Sequence, residues 1–532
     1  MMPGILAALL GGPSGAPPAS FAVTGTERED GVLTITGGSP PYTVQRASDA
    51  SLLASGVTSY TIPAALVGDE IEILDSASGY HLTAVIGSSA LAWINSDDYT
   101  GANIPNRGTM GGTLDNGATA PASGSDTLGP YCDFTGANGL IFSSPALITK
   151  DPSDSYTAYL LADAYTGTAG FAAEFYQAGQ RLAIRKNSTY WDVLDSAYRV
   201  YGDLVVDACE LQCFTFNGST SLADRHGYHG AQTDSGVTYN PRSFSGTCQP
   251  TFGAIVGGAS PYQGKVRFYA IYKGIHDATK QAEVRAALKR TWAHVDQTAL
   301  EIPGLRVLCN AESGNVTERV SGPDIFAEDA TDLSGNGNTY AQTTPGFQPK
   351  IETDPGGRWN GKRVFVSDGV DDFLLKSGFD LGGAASEFTL GMAMEFVSYS
   401  SGARFFVYNG GSNYPRFYEI GSLGSIGIQT GASTSAPVLN QPVDTPTSVF
   451  GCGVSGVGSF GFSGGVLTDE DPDVSVLSYA DGNACSFLAY HTGALPGDYR
   501  VGEVFLARTA FTPTLALVHG CRHHVEYGTA LS

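Results

Sequence analysis

Three kinds of side chain in this 532-residue chain have spacings that chemistry would use: carboxylates, histidines and serines. Glycoside hydrolysis needs two carboxyl groups flanking the scissile bond, roughly 5–10 Å apart. Glu70 and Glu72 share one face of an extended stretch, Glu70-Ile71-Glu72-Ile73-Leu74-Asp75. No Glu-x-Asp-x-x-Glu run accompanies them in the two long repeats, so this pair reads as a solvated strand face. Asp368, Asp371 and Asp372 are the candidate metal ligands, with calcium the candidate ion, because hard cations take carboxylate oxygens. A second acidic run, Asp469-Glu470-Asp471-Pro472-Asp473, has the same composition. Asp-Gly is also a turn signal, and the turn reading is preferred for both clusters. His519 and His523 lie four apart on an expected final helix, with His524 adjacent, but the H-E-x-x-H pattern is absent. They read as surface or packing histidines, as do His226 and His229. Gly461-Phe462-Ser463-Gly464-Gly465 matches a nucleophile elbow, which requires a strand–turn–helix context. In a glycine-laden β region it reads as a hairpin turn.

The chain that must position these groups has 42% hydrophobic and 15% charged residues. That is enough apolar mass for several cores and excludes a disordered acidic polymer. The net charge of -23 argues against a nucleic-acid partner, which requires a basic footprint, and against anionic membrane surfaces. No apolar run approaches the ~20 residues of a membrane span. With 69 Gly, 26 Tyr and 26 Phe, many short strands joined by tight turns are expected. The 8 cysteines are sparse and form no C-x-x-C pair, so buried thiols are expected rather than a zinc site or a disulfide scaffold. The N-terminal stretch has apolar Ile5, Leu6, Leu9 and Leu10 but no basic residue before Arg28, so it does not read as a signal peptide. Followed by the Gly/Pro-rich 11–18, it is expected to be an apolar tip that docks into an assembly, with a linker behind it.

Four regions follow along the chain: the tip and linker at 1–17, a small β-sandwich at 18–88, and two long repeats at 90–295 and 304–532. In the small region Val32-Leu33-Thr34-Ile35-Thr36 and Glu70 to Leu74 alternate with period two, the mark of a half-buried strand. Its Gly37-Gly38-Ser39-Pro40-Pro41-Tyr42-Thr43-Val44 phrase, followed by Asp75-x-x-x-Gly79, resembles immunoglobulin-like repeats of extracellular adhesins. The two long repeats match in order: 106–113 with 332–339, Phe134 to Leu140 with Val366 to Phe373, Ser155 to Ala158 with Glu387 to Leu390, and Val266 to Tyr272 with Val501 to Ala507. Each ends in an expected helix, with Asp277 and Thr512 as equivalent N-caps and Pro513 at the first helical position. The expected apolar stripes are Val284, Leu288 and Trp292 in the first helix and Leu517, Cys521 and Val525 in the second, and they do not superpose without a gap.

Asp332-Leu333-Ser334-Gly335-Asn336-Gly337-Asn338, then Ser367-Asp368-Gly369-Val370-Asp371-Asp372-Phe373-Leu374, resembles the laminin-G-like, concanavalin A-like jelly-roll family. So does a closing strand such as Val266 to Tyr272 before a short helix. The first copy has Asn138 and Gly139 where the second has Asp371 and Asp372. The resemblance implies an all-β chain: one immunoglobulin-like sandwich followed by two jelly-roll sandwiches. Its members mostly bind glycans or proteins, and some are glycosidases. Sugar sites stack ligands on loop aromatics, so Tyr190, Trp191, Tyr228, Tyr262, Tyr408, Tyr414 and Tyr418 are the ligand-binding candidates.

The expected function is that of a non-enzymatic bacteriophage virion protein, a tail fibre, spike or head decoration. It would join other virion proteins through its N-terminus and attach to a host-surface glycan or protein receptor as a homo-oligomer. No cofactor is expected apart from the candidate calcium. The alternatives are a secreted carbohydrate-binding adhesin and a polysaccharide-degrading enzyme.

Overall fold

In the computed structural model the chain divides into two compact units, 1–296 and 297–532. The structure describes residues 22–530 apart from short interior stretches, the longer being 204–209, 255–259, 399–403, 410–415, 421–424, 430–437, 472–482 and 489–497. The tip residues Ile5, Leu6, Leu9 and Leu10 lie outside the described residues. The fold is all-β, with two α-helices among the described residues, α1 (Ala278–Lys289) and α2 (Pro513–Tyr527).

Unit 1 begins with a three-stranded and a four-stranded sheet built from strands between Ala22 and Ala84. Alternation sets their faces: in Val32–Thr36, Leu33 and Ile35 are buried while their neighbours are exposed. The inward residues do not close a core of their own. Leu33, Ile35, Val44, Ile71 and Ile73 join one buried cluster with Tyr159, Phe268, Leu288 and Trp292 of the larger sandwich behind them. A polar clamp lies beside that contact. Buried Glu29 accepts from Ser88 Oγ and from Tyr272 Oη (3.2 Å) and pairs with Lys280 Nζ at 2.6 Å.

The larger sandwich of unit 1 has a nine-stranded and an eight-stranded sheet. In the second, the closing strand Lys265–Lys273 pairs with the central strand Tyr156–Asp163, which pairs with the flanking strand Gln212–Asn217. Their inward side chains, among them Ala158, Leu160, Phe214, Tyr269 and Ile271, form the inter-sheet core. Both faces of the central strand are buried, which is why Tyr156–Ala162 is a nearly continuous apolar run rather than an alternating one.

Unit 2 repeats this arrangement. The closing strand Tyr499–Ala507 pairs with the central strand Glu387–Phe396, which pairs with Thr447–Val454. Leu390, Met392, Val504 and Leu506 point into its core. The registers of the two copies agree residue for residue. Thr157 opposes Tyr272 as Thr389 opposes Ala507, and both central strands carry a bulge at the same place, between Leu161 and Ala162 and between Ala393 and Met394. The hydroxyl of Thr157 donates to Gly274 O and accepts from His276 N. That of Thr389 donates to Thr509 O and accepts from Phe511 N. The same side chain thus pins the same sheet-to-helix corner twice. The helix that follows starts on its expected cap: Asp277 Oδ1 accepts from Lys280 N at 2.8 Å and Thr512 Oγ1 from Leu515 N at 3.2 Å.

Counting from those caps corrects the expected stripe of α2. Of the expected stripe Cys521 is buried, but Leu517 and Val525 are only partly covered, and the face toward the sheet carries Ala516, His519, His523 and Tyr527. These stand where α1 and its end have Gln281, Val284, Leu288 and Trp292, so the ungapped register is correct and the chemistry of the face has changed. The sequence 461–465 is a hairpin: strand Gly458–Ser463 turns at Gly464 and Gly465, both with positive φ, into Val466–Asp471.

Candidate functional site

The loop 367–373 joins strand Arg363–Val366 to strand Leu374–Phe379. Its start is held by Ser367 N donating to Tyr499 O at 3.0 Å, and its end by Phe373 N donating to Phe347 O at 3.1 Å. Gly369 has φ +74° and a Cβ there would meet Asp498 Cβ at 3.2 Å, so both the turn and the close approach call for glycine. Val370 N donates to Asp368 Oδ1 at 2.8 Å, and Asp368 N to Asp372 Oδ2 at 3.0 Å. Between these anchors the ligating oxygens of Asp368, Asp371 and Asp372 all come within 4.8 Å of one another.

The three carboxylates differ in exposure: Asp368 is exposed, Asp371 half-buried and Asp372 6% exposed. Burial, with the neighbouring charges of Asp368 and Asp371, pushes the Asp372 carboxyl up to about 7. The group therefore accepts either a proton or a cation near neutrality. Three acidic oxygens on one loop are the donor type that calcium takes. Next to the loop, the rings of Phe347 and Phe373 lie 6.2 Å apart at 33°, Phe347 is 38% exposed and Val370 67% exposed. The chain thus places carboxylates and an apolar, partly aromatic shelf side by side. Phe347 lies outside any motif read in the sequence. Its only signal was position, 26 residues upstream in a short Pro-Gly-Phe turn, Pro345–Phe347.

The aromatic candidates fare differently. Tyr262 is corrected: it is 0% exposed within the unit 1 core, and it cannot face a ligand. Tyr190 and Trp191 lie on strand Tyr190–Asp195, Tyr408 on Arg404–Asn409 and Tyr418 on Arg416–Ile420 rather than in loops. Tyr228 and Tyr414 fall outside the described residues. Glu72 of the strand-face pair accepts from Gln45 Nε2 at 2.7 Å, a structural role.

Beneath α2 lies a constellation that spacing alone did not reveal. Ser448 Oγ is 2.7 Å from His523 Nδ1, and His523 Nε2 is 2.9 Å from Glu503 Oε1. Arg522 grips both oxygens of Glu503 and reaches Glu526 at 3.0 Å. Burial alone would raise the Glu503 carboxyl, but Arg522 and His523 hold it well below the usual range, while burial and Arg522 lower His523. This is the order of groups in a nucleophilic relay. Ser448 and His523 are 0% exposed, however, so in this packing no substrate reaches the hydroxyl.

No family model and no curated protein matches the chain. Solved structures do resemble it. An α-L-arabinofuranosidase matches at TM-score 0.31 and 10% identity over 44% of this chain, which spans 62% of that enzyme's length. The Trypanosoma rangeli sialidase matches at TM-score 0.31 and 9% identity over 92% of this chain and 78% of its own. The carbohydrate-binding module of a Ruminococcus gnavus sialidase, bound to sialyllactose, matches at TM-score 0.22 and 14% identity over 25% of this chain and 83% of its own. At these values the likenesses assign neither activity nor substrate. They do correct the expectation of a chain without enzymatic activity: glycoside hydrolases stand among the structures it resembles, and that expectation is withdrawn.

Proposed function

We propose that this chain is a glycan-binding protein whose second sandwich holds a sugar at the loop 367–373, through a calcium ion on Asp368, Asp371 and Asp372 and apolar contact with Phe347 and Phe373. The observation that carries the reading is the convergence of three carboxylates within 4.8 Å beside a partly exposed aromatic pair. A cation there would neutralise the crowded acids and offer open positions to sugar hydroxyls, while the rings would cover the apolar face of the pyranose. The test is binding of the full chain to a panel of surface glycans, with calcium or with chelator. Retention that falls with chelator, and falls again in Asp371→Ala and Phe373→Ala, supports the reading. Binding indifferent to all three changes would overturn it.

The proposed setting is a bacteriophage virion, with the chain as a homo-oligomeric fibre, spike or head-decoration protein that contacts the host surface. Support comes from the adhesin-like β modules and the apolar residues Ile5, Leu6, Leu9 and Leu10. Deleting 1–17 should leave folded protein that no longer joins its assembly, and normal incorporation would refute this setting.

A further inference from the structure

The face of α2 on its sheet carries buried ionisable groups at positions where α1 and its sheet carry hydrocarbon; the buried polar residues of α1 itself, Gln281 and Arg285, stand instead where α2 has Ala516 and Gly520. Position by position, Phe268, Leu288, Val284, Ala287 and Leu211 of unit 1 become Glu503, His523, His519, Arg522 and Ser448 of unit 2. All five unit 1 residues belong to or line one hydrophobic cluster. The unit 2 set is as well buried, Glu503 at 1% exposure and the other four at 0%. Burying charges and imidazoles where the duplicate manages with hydrocarbon confers no stability by itself, since desolvation offsets the Coulomb gain.

What it does confer is dependence on protonation. Among the described residues Arg522 is the one strong cation in the layer, and it faces Glu503 from the closing strand and Glu526 from its own helix. His523 faces Arg522 Nη2 and Glu503 Oε1, each at 2.9 Å, Ser448 from the flanking strand, and the rings of Phe450 and Tyr527. His519 Nδ1 accepts from Arg522 Nε at 3.4 Å, and its ring stacks on Phe511. At the far end, Tyr527 Oη donates to Glu503, with the Lys362 ammonium over its ring and Glu312 acting on it electrostatically. A proton added to His523 meets the Arg522 guanidinium at hydrogen-bond distance, and one added to Nδ1 of His519 removes the acceptor that Arg522 uses.

We infer that α2 is an acid-released clasp: protonation of its buried histidines loosens the helix from unit 2 and bares the apolar face of Phe450, Phe505 and Phe511, while the inner core stays folded. The direction agrees with the site. His523 titrates below its ordinary value because burial and Arg522 disfavour the charged ring, so the docked helix holds fewer protons than the released one. Docking is then strongest above about pH 6.5 and weakens as pH falls toward the lower value of the docked state.

The experiment is hydrogen–deuterium exchange of the full chain between pH 7.5 and 5, corrected for intrinsic rates, with the inner strand Glu387–Phe396 as the internal reference. The expected result is that protection of α2 falls about tenfold per pH unit below 6.5 for one proton, while that strand holds. His519→Val with His523→Leu, the residues found in α1, should abolish the difference, and His523→Gln serves if that pair misfolds. Protection of α2 that does not change over this range would overturn the inference. So would a pH dependence that survives in the variants, or strands Glu387–Phe396 and Tyr499–Ala507 exchanging together with α2.

Discussion

Two helices close two sandwiches at the same corner, and the layers beneath them differ: five buried positions that are hydrocarbon in unit 1 are ionisable or polar in unit 2. Under α1 the sheet presents Tyr159, Phe268 and Ala270; under α2 it presents Gly391, Glu503 and Phe505. One exchange is steric. Tyr159 opposes Ala270 across the strands, and Gly391 opposes Phe505, so large and small have traded strands while the filled volume stays in place. The other exchange is chemical, a buried ionic layer for an apolar one. The backbone features are shared: the bulge, the threonine that pins the corner, and the polar cap. The comparison teaches that corner geometry is set by a few hydrogen bonds and close contacts, and that the interlayer is free to become hydrocarbon or charge.

The largest effect should come from breaking the ionic layer in part. Arg522→Met leaves Glu503 buried without its main cation, and loss of one partner of such a pair costs about 3–5 kcal/mol. Replacing the whole set by its unit 1 counterparts (Glu503→Phe, Arg522→Ala, His519→Val, His523→Leu and Ser448→Leu) should cost far less or stabilise. Urea unfolding of the full chain, with hydrogen exchange assigning each transition, reads both. A single variant no worse than the five-fold variant would mean that the layer does not act as a unit.

The second effect is steric. A Cβ on Gly391 would lie 2.2 Å from two atoms of the Phe505 ring. Gly391→Ala should therefore destabilise unit 2 by about 1–3 kcal/mol, the range of overpacking, and should add almost nothing in a chain that already carries Phe505→Ala, where the clashing ring is gone. The same unfolding experiment decides. An undiminished cost of Gly391→Ala in the Phe505→Ala background would show that the two positions are not one packed pair.

These contrasts mark what the sequence made legible. Alternation in Val32–Thr36 and Glu70–Leu74, the parallel between 266–272 and 501–507, and the caps Asp277 and Thr512 depend on neighbours within a few residues. They could be read directly. The buried face of α2 could not, because hydropathy ranks Leu517 and Val525 above His519 and His523. The groups that make those histidines buriable lie 20 residues away at Glu503 and 75 away at Ser448. The aspartate loop was legible as a cluster, since its members are adjacent, but the ring of Phe347 beside it was not. Tyr262 was misread for a related reason: the core that buries it is assembled from strands distant in sequence, a property of the fold and not of the local stretch.

Where the copies agree, the variants should agree too. Thr157→Val and Thr389→Val each remove a buried hydroxyl that donates one hydrogen bond and accepts another. Each should cost about 1–2 kcal/mol in its own unit, the loss of a bond plus an orphaned backbone group. Thermal unfolding and local exchange of residues 274–276 and 509–511 would show it. Unequal costs would mean that the corners differ in ways the shared geometry hides.

The smallest effect belongs to the caps, and it sharpens the comparison most. Asp277→Ala and Thr512→Ala each delete one side-chain acceptor at a helix start, worth about 1 kcal/mol. An aspartate also carries a charge at the positive end of the helix dipole and a threonine does not, which adds a few tenths of a kcal/mol at low salt. Asp277→Ala should therefore cost slightly more than Thr512→Ala in dilute buffer, and the gap should close as salt screens the dipole. Helix protection measured at low and high ionic strength separates the two contributions. If the α2 cap proved the costlier of the two, the reason would lie in the layer beneath it, because a helix held by an ionic face lacks the apolar anchorage that lets α1 absorb a frayed first turn.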